Sequence, residues 1–346
     1  EMSKEYAVLE TVRQDLLVAD LEAELGADWT KDLEDRWALK EPLGEDFARV
    51  DEDWDWVEHH PGNLQLVSLR HHINDLLEKG GAPHVLLGYS AYWAAGPGFE
   101  DMQAASFRRR RRDAGHAVDI FMVPERLDDW SIYTRAVMRG VGRQVHGWIL
   151  WNNPDGSGPL AMKPGRLAEL LRTADRWRRG YTAETPIFIG GVHTRTAIPY
   201  LNKLKDKNAL KNLGGVNVRM DVGRLSPEDA RVPDYVQRLQ RTLGEDKRVL
   251  LTDLDWAVEK GEEGLGVFDQ AAYVARAYLL LDQFGIRPVL SITNPDTDRL
   301  GLGLTYRRVI NVPPLRERPD EFLLKPGWWA VLQARKWMRR LQPVSP

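Results

Sequence analysis

Val145-His146-Gly147-Trp148-Ile149-Leu150-Trp151-Asn152-Asn153-Pro154-Asp155-Gly156 is an apolar run that stops abruptly in polar residues. The run is short and rich in Trp and Ile, which suits a buried strand. Its end suits a loop, because Pro cannot donate to a ladder and Gly opens a turn. Polar amides just beyond a buried strand sit at the end where α/β barrels keep their chemistry. A companion follows at Arg248-Val249-Leu250-Leu251-Thr252-Asp253-Leu254-Asp255-Trp256, again a buried strand, with a carboxylate at its exit. If both strands lie in one parallel sheet, Asn153 and Asp253 share one mouth.

Around this pair, strand and helix patterns alternate. Strands are expected at Trp29 to Trp37, His84 to Ser90, the Trp148 run, Pro186 to Gly191, Gly215 to Asp221, the Leu250 run and Pro288 to Thr293. Helices are expected at Glu5 to Leu25, Leu64 to Lys79, Trp130 to Val141, Pro164 to Arg179, Ala197 to Lys205, Pro233 to Leu243, Gln270 to Phe284 and Gly327 to Leu341. The segment around Asp51 to Trp56 reads as a surface connection, and Gly96 to Glu125 as a polar insertion overhanging the mouth. Short Val, Ile and Leu runs separated by helices argue for a parallel sheet covered on both sides. With an eighth strand at the start, these units close a (β/α)8 TIM barrel formed by one domain over 1–346. No Gly-rich phosphate fingerprint follows a strand, which disfavours the doubly wound nucleotide fold.

At 346 residues the chain has a normal length for such a barrel, and 43% apolar residues supply its core. A formal charge of −3 and a pI near 6.3 give no reason to expect nucleic acid. The run Arg108 to Arg112 reads as a solvated face. With no cysteine, disulfides and thiolate metal sites are excluded. His59-His60 and His71-His72 have no partner at ligand spacing, so neither a metal nor another cofactor is expected. No apolar stretch reaches the ~18 residues of a membrane span, and the first residues do not read as a signal peptide. A soluble protein is expected, cytoplasmic or secreted and processed.

Residues ending the strands would share the rim. They include Glu34, Tyr89, Asn152, Asn153, Arg219, Asp221, Asp253 and Asp255. Asp253 and Asp255 face the same way while the chain stays extended. Acids gathered at one mouth raise each other's pKa unless a cation or hydrogen bond intervenes. Arg36, Arg219 or Arg224 could intervene. Trp93, Trp151 and Trp256 follow or end strands and could wall a pocket, since flat apolar faces stack on sugars or aromatic ligands; core packing is their ordinary use. His193 is the one histidine well placed for proton transfer. No Gly-x-Ser-x-Gly elbow occurs, which disfavours acyl transfer.

At Trp151-Asn152-Asn153-Pro154 the chain resembles the retaining glycoside hydrolases of the large (β/α)8 clan, most nearly the family 39-like β-xylosidase branch. There the fourth strand ends Trp-Asn-Glu-Pro with Glu as acid/base. The seventh ends in a Thr-Glu-Phe-Gly-Trp type motif with Glu as nucleophile, and Leu251 to Trp256 aligns with it. The resemblance implies a sugar ligand and a contact from Asn152 to the 2-hydroxyl. Both catalytic positions differ. Asn153 replaces the acid/base, and an amide exchanges no proton usefully at neutral pH. Asp253 replaces the nucleophile with a carboxylate set back by about 1.5 Å, whereas retaining chemistry wants carboxyls roughly 5–5.5 Å apart.

Three functional readings follow. The first is a glycoside hydrolase-like barrel acting on or binding a carbohydrate, with impaired or altered catalysis. The second is a re-engineered barrel in which a rim carboxylate, Asp253 or Asp221, acts as base on a flat non-sugar substrate. The third is a non-catalytic sugar-binding barrel.

Overall fold

In the computed structural model, residues from four separate strands meet in one row. Phe47 belongs to β1 (Phe47–Val50), His84 to β2 (Ala82–Leu87), Phe188 to β4 (Ile187–His193) and Arg248 to β6 (Arg248–Leu251). The Phe47 and His84 rings are 4.5 Å apart, and His84 and Phe188 are 6.0 Å apart. The Arg248 guanidinium lies 5.7 Å from the Phe188 ring. Phe47 and His84 come from adjacent strands, but β2 and β4, and β4 and β6, are two apart, which in a flat sheet is roughly 10 Å, so the contacts of Phe188 with His84 and Arg248 fit a curled sheet and its concave face. The strands between leave the room. A Cβ at Gly147 of β3 (Gly147–Leu150) would lie 2.3 Å from His84 Cδ2, and one at Gly215 of β5 (Gly215–Arg219) 2.8 Å from Phe188 Cε1. The alternate strands β2, β4 and β6 thus fill one interior layer, as barrels do.

The structure describes residues 47–91, 93–94, 123–156, 161–220, 222–244, 246–252, 254, 256–258, 265–286, 288, 303–308 and 321–340. Within them β1 to β6 form one sheet in sequence order, every pair parallel. Leu251 makes a further parallel bridge to Pro288, so the sheet continues past β6. An order without reversal is that of an α/β barrel, not of a doubly wound sheet.

Helices cover the convex face: α1 (Trp54–Val57), α2 (Val67–Glu78), α3 (Leu127–Val141), α4 (Pro164–Tyr181), α5 (Ala197–Asp206), α6 (Val232–Leu243) and α7 (Val267–Asp282). Each buries an apolar side. In α4, Leu167, Ala168, Leu170, Leu171 and Ala174 are buried at helical spacing while Arg172 and Arg179 are exposed. A hairpin of β7 (Thr305–Arg308) and β8 (Glu321–Leu324) follows, and α8 (Pro326–Arg340) closes the chain.

Two expectations are corrected. The strand beside β2 is Phe47–Val50, not a segment read from the sequence. Asp51 to Trp56 is not a surface connection: it holds α1, with Trp54 fully buried. Trp54 stacks on Tyr133 at 4.6 Å, and its indole N–H donates to Glu58 at 2.8 Å, so one side chain spends both its apolar and polar capacity. The antiparallel β7–β8 hairpin was not anticipated. The expected helix over Glu5 to Leu25, the strand over Trp29 to Trp37, the insertion as far as 122 and all of the last strand except Pro288 lie outside the described residues.

Candidate functional site

The mouth is built from the carboxyl ends of the parallel strands. Trp151 extends β3 by one residue, its N–H donating to Leu87 O at 2.9 Å. The chain then turns sharply, with Trp151 at φ 61° and Asn153 at φ 49°. Asn adopts this left-handed region readily, whereas a bulky residue such as Trp does so only when its surroundings fix it. The fixing is visible. Trp151 is fully buried, edge-on to Tyr89 at 5.6 Å, and its ring lies over Gly88, where a Cβ would come within 2.9 Å.

The turned loop leans on β4. A Cβ at Gly191 would sit 1.9 Å from Asn152 Oδ1 and 3.0 Å from Asn153 Oδ1, and one at Gly190 would sit 2.0 Å from Trp151 O. Gly190-Gly191 therefore lets two strand ends approach, and the β4–β5 register shifts at this pair, as in a bulge. Asn152 Nδ2 donates to the Tyr89 hydroxyl at 3.3 Å. Asn153 Oδ1 is buried with no hydrogen-bond partner.

Asp155, two residues on, ties this loop to the next one. Its Oδ2 accepts from the His193 backbone N–H at 2.9 Å and from the Thr196 hydroxyl at 2.6 Å, while Oδ1 is buried without a partner. Burial pushes the Asp155 carboxyl above the usual range, and the bonds from Thr196 and His193 only partly offset it. Tyr235 and Tyr200 are raised by burial and then by the Asp155 charge. The Tyr235 hydroxyl is also buried without a partner.

On β5, Gly215, Asn217 and Arg219 face the interior together, because alternate residues share a face. Asn217 is fully buried; its Oδ1 accepts from the Thr252 hydroxyl at 2.6 Å, joining the ends of β5 and β6, and its Nδ2 has no partner. Arg219 ends the strand in register with His193 of β4. Arg219 is exposed and His193 half-buried.

The structure therefore gathers Tyr89, Trp151, Asn152, Asn153, His193 and Arg219 at the mouth of β2 to β5. Glu34, Asp221, Asp253 and Asp255 lie outside the described residues. Their neighbours are placed. Thr252 sits at the exit of β6, Leu254 is buried, and Trp256 is buried with its indole N–H donating to Leu225 O at 2.8 Å. Trp151 and Trp256 thus pack into the core and present no open ring face. Trp93 is half-buried, edge-on to Trp54 at 5.6 Å, its N–H donating to Glu58 O at 2.9 Å.

Sequence reasoning passed over Asp155, Asn217 and Thr252. Asn217 had a signal: it interrupts an apolar strand at the position that alternation shares with Arg219. Asp155 had none, since Pro-Asp-Gly reads as an ordinary turn. Among the described residues no group of three or more His, Cys, Asp or Glu could hold a metal ion. No helix among them is long and apolar enough to cross a membrane.

No protein-family model and no curated protein matches the chain. Solved structures do. A family 39 glycoside hydrolase from the gut symbiont Bacteroides cellulosilyticus WH2 superposes with a TM-score of 0.59 at 17% identity, over 88% of this chain and 60% of that one. A family 10 xylanase from Bispora sp. MEY-1, solved with xylobiose, gives 0.59 at 10% identity, over 87% of this chain and 92% of that one. A mutant xylanase A from Pseudomonas fluorescens subsp. cellulosa, in complex with xylopentaose, gives 0.55 at 14%, over 88% and 93%. The chain has the α/β-barrel fold seen in glycoside hydrolases of families 39 and 10. Against the family 39 structure it spans three fifths of the other chain's length.

Proposed function

We propose that this chain is a glycoside hydrolase-like, single-domain (β/α)8 barrel that acts on or binds a carbohydrate, with impaired or altered catalysis. The observation that carries the reading is the β3 exit: Trp151-Asn152-Asn153-Pro154 leaves a buried parallel strand at the mouth, with Asn152 and Asn153 set against Gly191. A strand preceding Phe47 and one beginning at Pro288 would make eight, with β3 fourth and β6 seventh in the ring. The fourth and seventh strands are the ones that carry acid/base and nucleophile in the family the motif resembles. The sugar-bound neighbours support a carbohydrate at this mouth.

In this reading Asp253 is the nucleophile or charge stabiliser, and Asp221 and Asp255 lie beside it on the rim. Asn153 holds the acid/base position without a proton to give, so leaving groups must depart unaided. A placed acid is worth on the order of 10²–10⁴ in rate. Substrates with good leaving groups should lose less of it. The experiment is hydrolysis of a panel of nitrophenyl glycosides beside unactivated oligosaccharides. Slow release from the activated sugars is expected, abolished in Asp253→Asn. Asn153→Glu should raise turnover of the unactivated substrates most. If neither the native chain nor Asn153→Glu hydrolyses or binds any sugar, the reading fails. The alternative of a flat non-sugar substrate stacked on tryptophan draws no support from Trp151 and Trp256, whose rings are buried.

A further inference from the structure

We infer that the His193 imidazole is the general base of this mouth, taking a proton from the water that replaces the leaving group on the sugar. The inference rests on the carbohydrate reading above and adds the group that the second half of the reaction needs. The β4–β5 register carries it. Phe188 pairs with Gly215 and Ile189 with Val216, so Phe188 faces the interior and Ile189 the helices. Plain alternation along β4 would then send Val192 inward and His193 outward. Instead Gly190 and Gly191 together oppose Asn217, and beyond this bulge Val192 pairs with Val218 and His193 with Arg219. One extra residue exchanges the faces of all that follow. Val192 is thus fully buried on the helix side, and half-buried His193 turns into the mouth.

The same bulge sets His193 beside the position that has no acid. A Cβ at Gly191, two residues before His193, would lie 3.0 Å from Asn153 Oδ1. The His193 backbone is held on both sides: its N–H donates to Asp155 Oδ2 at 2.9 Å, and its carbonyl accepts from the Thr196 N–H at 3.0 Å. Among the described residues the imidazole itself makes no hydrogen bond and no ion pair. A ring on a fixed backbone, with no partner of its own there, suits proton transfer. Neutral imidazole carries a ring nitrogen that accepts a proton, whereas the amide of Asn153 and the guanidinium of Arg219 do not. Departure of the leaving group stays unaided, and His193 acts after it. The water oxygen bonds to the anomeric carbon as the bond from that carbon to Asp253 breaks. The electron pair of the broken bond returns to the Asp253 carboxylate. The water proton passes to the imidazole, which then releases it to solvent.

The test is the kinetics of a dinitrophenyl β-xylobioside, whose leaving group needs no acid, with the full native chain, His193→Gln and His193→Ala. Both variants should keep kcat/KM, which reports the steps through departure, within about twofold. Their kcat should fall on the order of 10²-fold, the low end for a placed base. Azide attacks without giving up a proton, so it should restore kcat in the variants, with glycosyl azide as product, and do little for the native chain. That rescue separates a lost base from a damaged fold. Native kcat in both variants, an equal fall of kcat and kcat/KM, or a fall that azide does not relieve overturns the inference and leaves the carbohydrate reading standing. Sugar binding without turnover in the native chain does the same. If neither the native chain nor Asn153→Glu binds or hydrolyses a sugar, the carbohydrate reading fails and the inference falls with it.

Discussion

At Asp155 the chain places an acid where burial opposes its charge, and hydrogen bonds from His193 and Thr196 restore only part of the loss. A carboxyl raised in the folded state stabilises most while protonated. Its contribution is complete below the unfolded pKa and declines as pH rises through the higher folded one. Asp155→Asn keeps an acceptor oxygen for both donors and removes the charge. Urea midpoints across pH 4 to 7 should therefore fall in the native chain relative to the variant as pH rises; parallel curves would show that Asp155 carries no such penalty. Gly191 gives a second test at this scale. Its φ is +55°, and a Cβ there would overlap Asn152 Oδ1. Gly191→Ala should cost about 1–3 kcal/mol from backbone strain alone, with the added displacement of Asn152, read as a shift in the denaturation midpoint.

Single elements explain why some of the fold could be read in advance. The strands β2 to β6 are runs of Val, Ile and Leu between helices with one apolar side, and pattern suffices for those. It failed at β1 and α1, where the sequence Phe-Ala-Arg-Val-Asp-Glu-Asp-Trp-Asp-Trp-Val offers four acids in a short span. Tertiary contacts override that composition. Trp54 is enclosed by Tyr133, Trp130 and Trp93, and Asp55 is buried with His59 at 3.5 Å. Nothing local distinguishes Trp54 from Trp56, which is 62% exposed. Trp54→Ala should cost about 3–5 kcal/mol, the range for a large aromatic removed from a core, whereas Trp56→Ala should stay within about 0.5 kcal/mol, the range for surface positions. Equal effects in chemical denaturation would return the segment to the surface. At the candidate site, the position of Asn152 and Asn153 beyond a buried strand could be read from local pattern, while Asp155 depends on His193 and Thr196 from another loop, a contact that no local pattern encodes.

Across the whole molecule, the sheet holds together through its concave layer. His84, Phe188 and Arg248 reach one another from β2, β4 and β6, and Gly147 and Gly215 between them supply no side chain to fill a gap. Phe188 is the keystone of that row, fully buried and in contact with both neighbours. Removing its ring leaves a cavity that the glycines cannot collapse into, because their backbones are fixed by parallel pairing on both sides. Phe188→Ala should therefore lie toward the upper end of the roughly 3–5 kcal/mol range for such truncations. The loss is shared by strands on either side, so the molecule should still unfold in one step, with tryptophan fluorescence and far-ultraviolet circular dichroism giving coincident transitions. Two separated transitions, with only one displaced by the substitution, would mean that β2 and β6 are stabilised independently and that the layer does not unite the sheet.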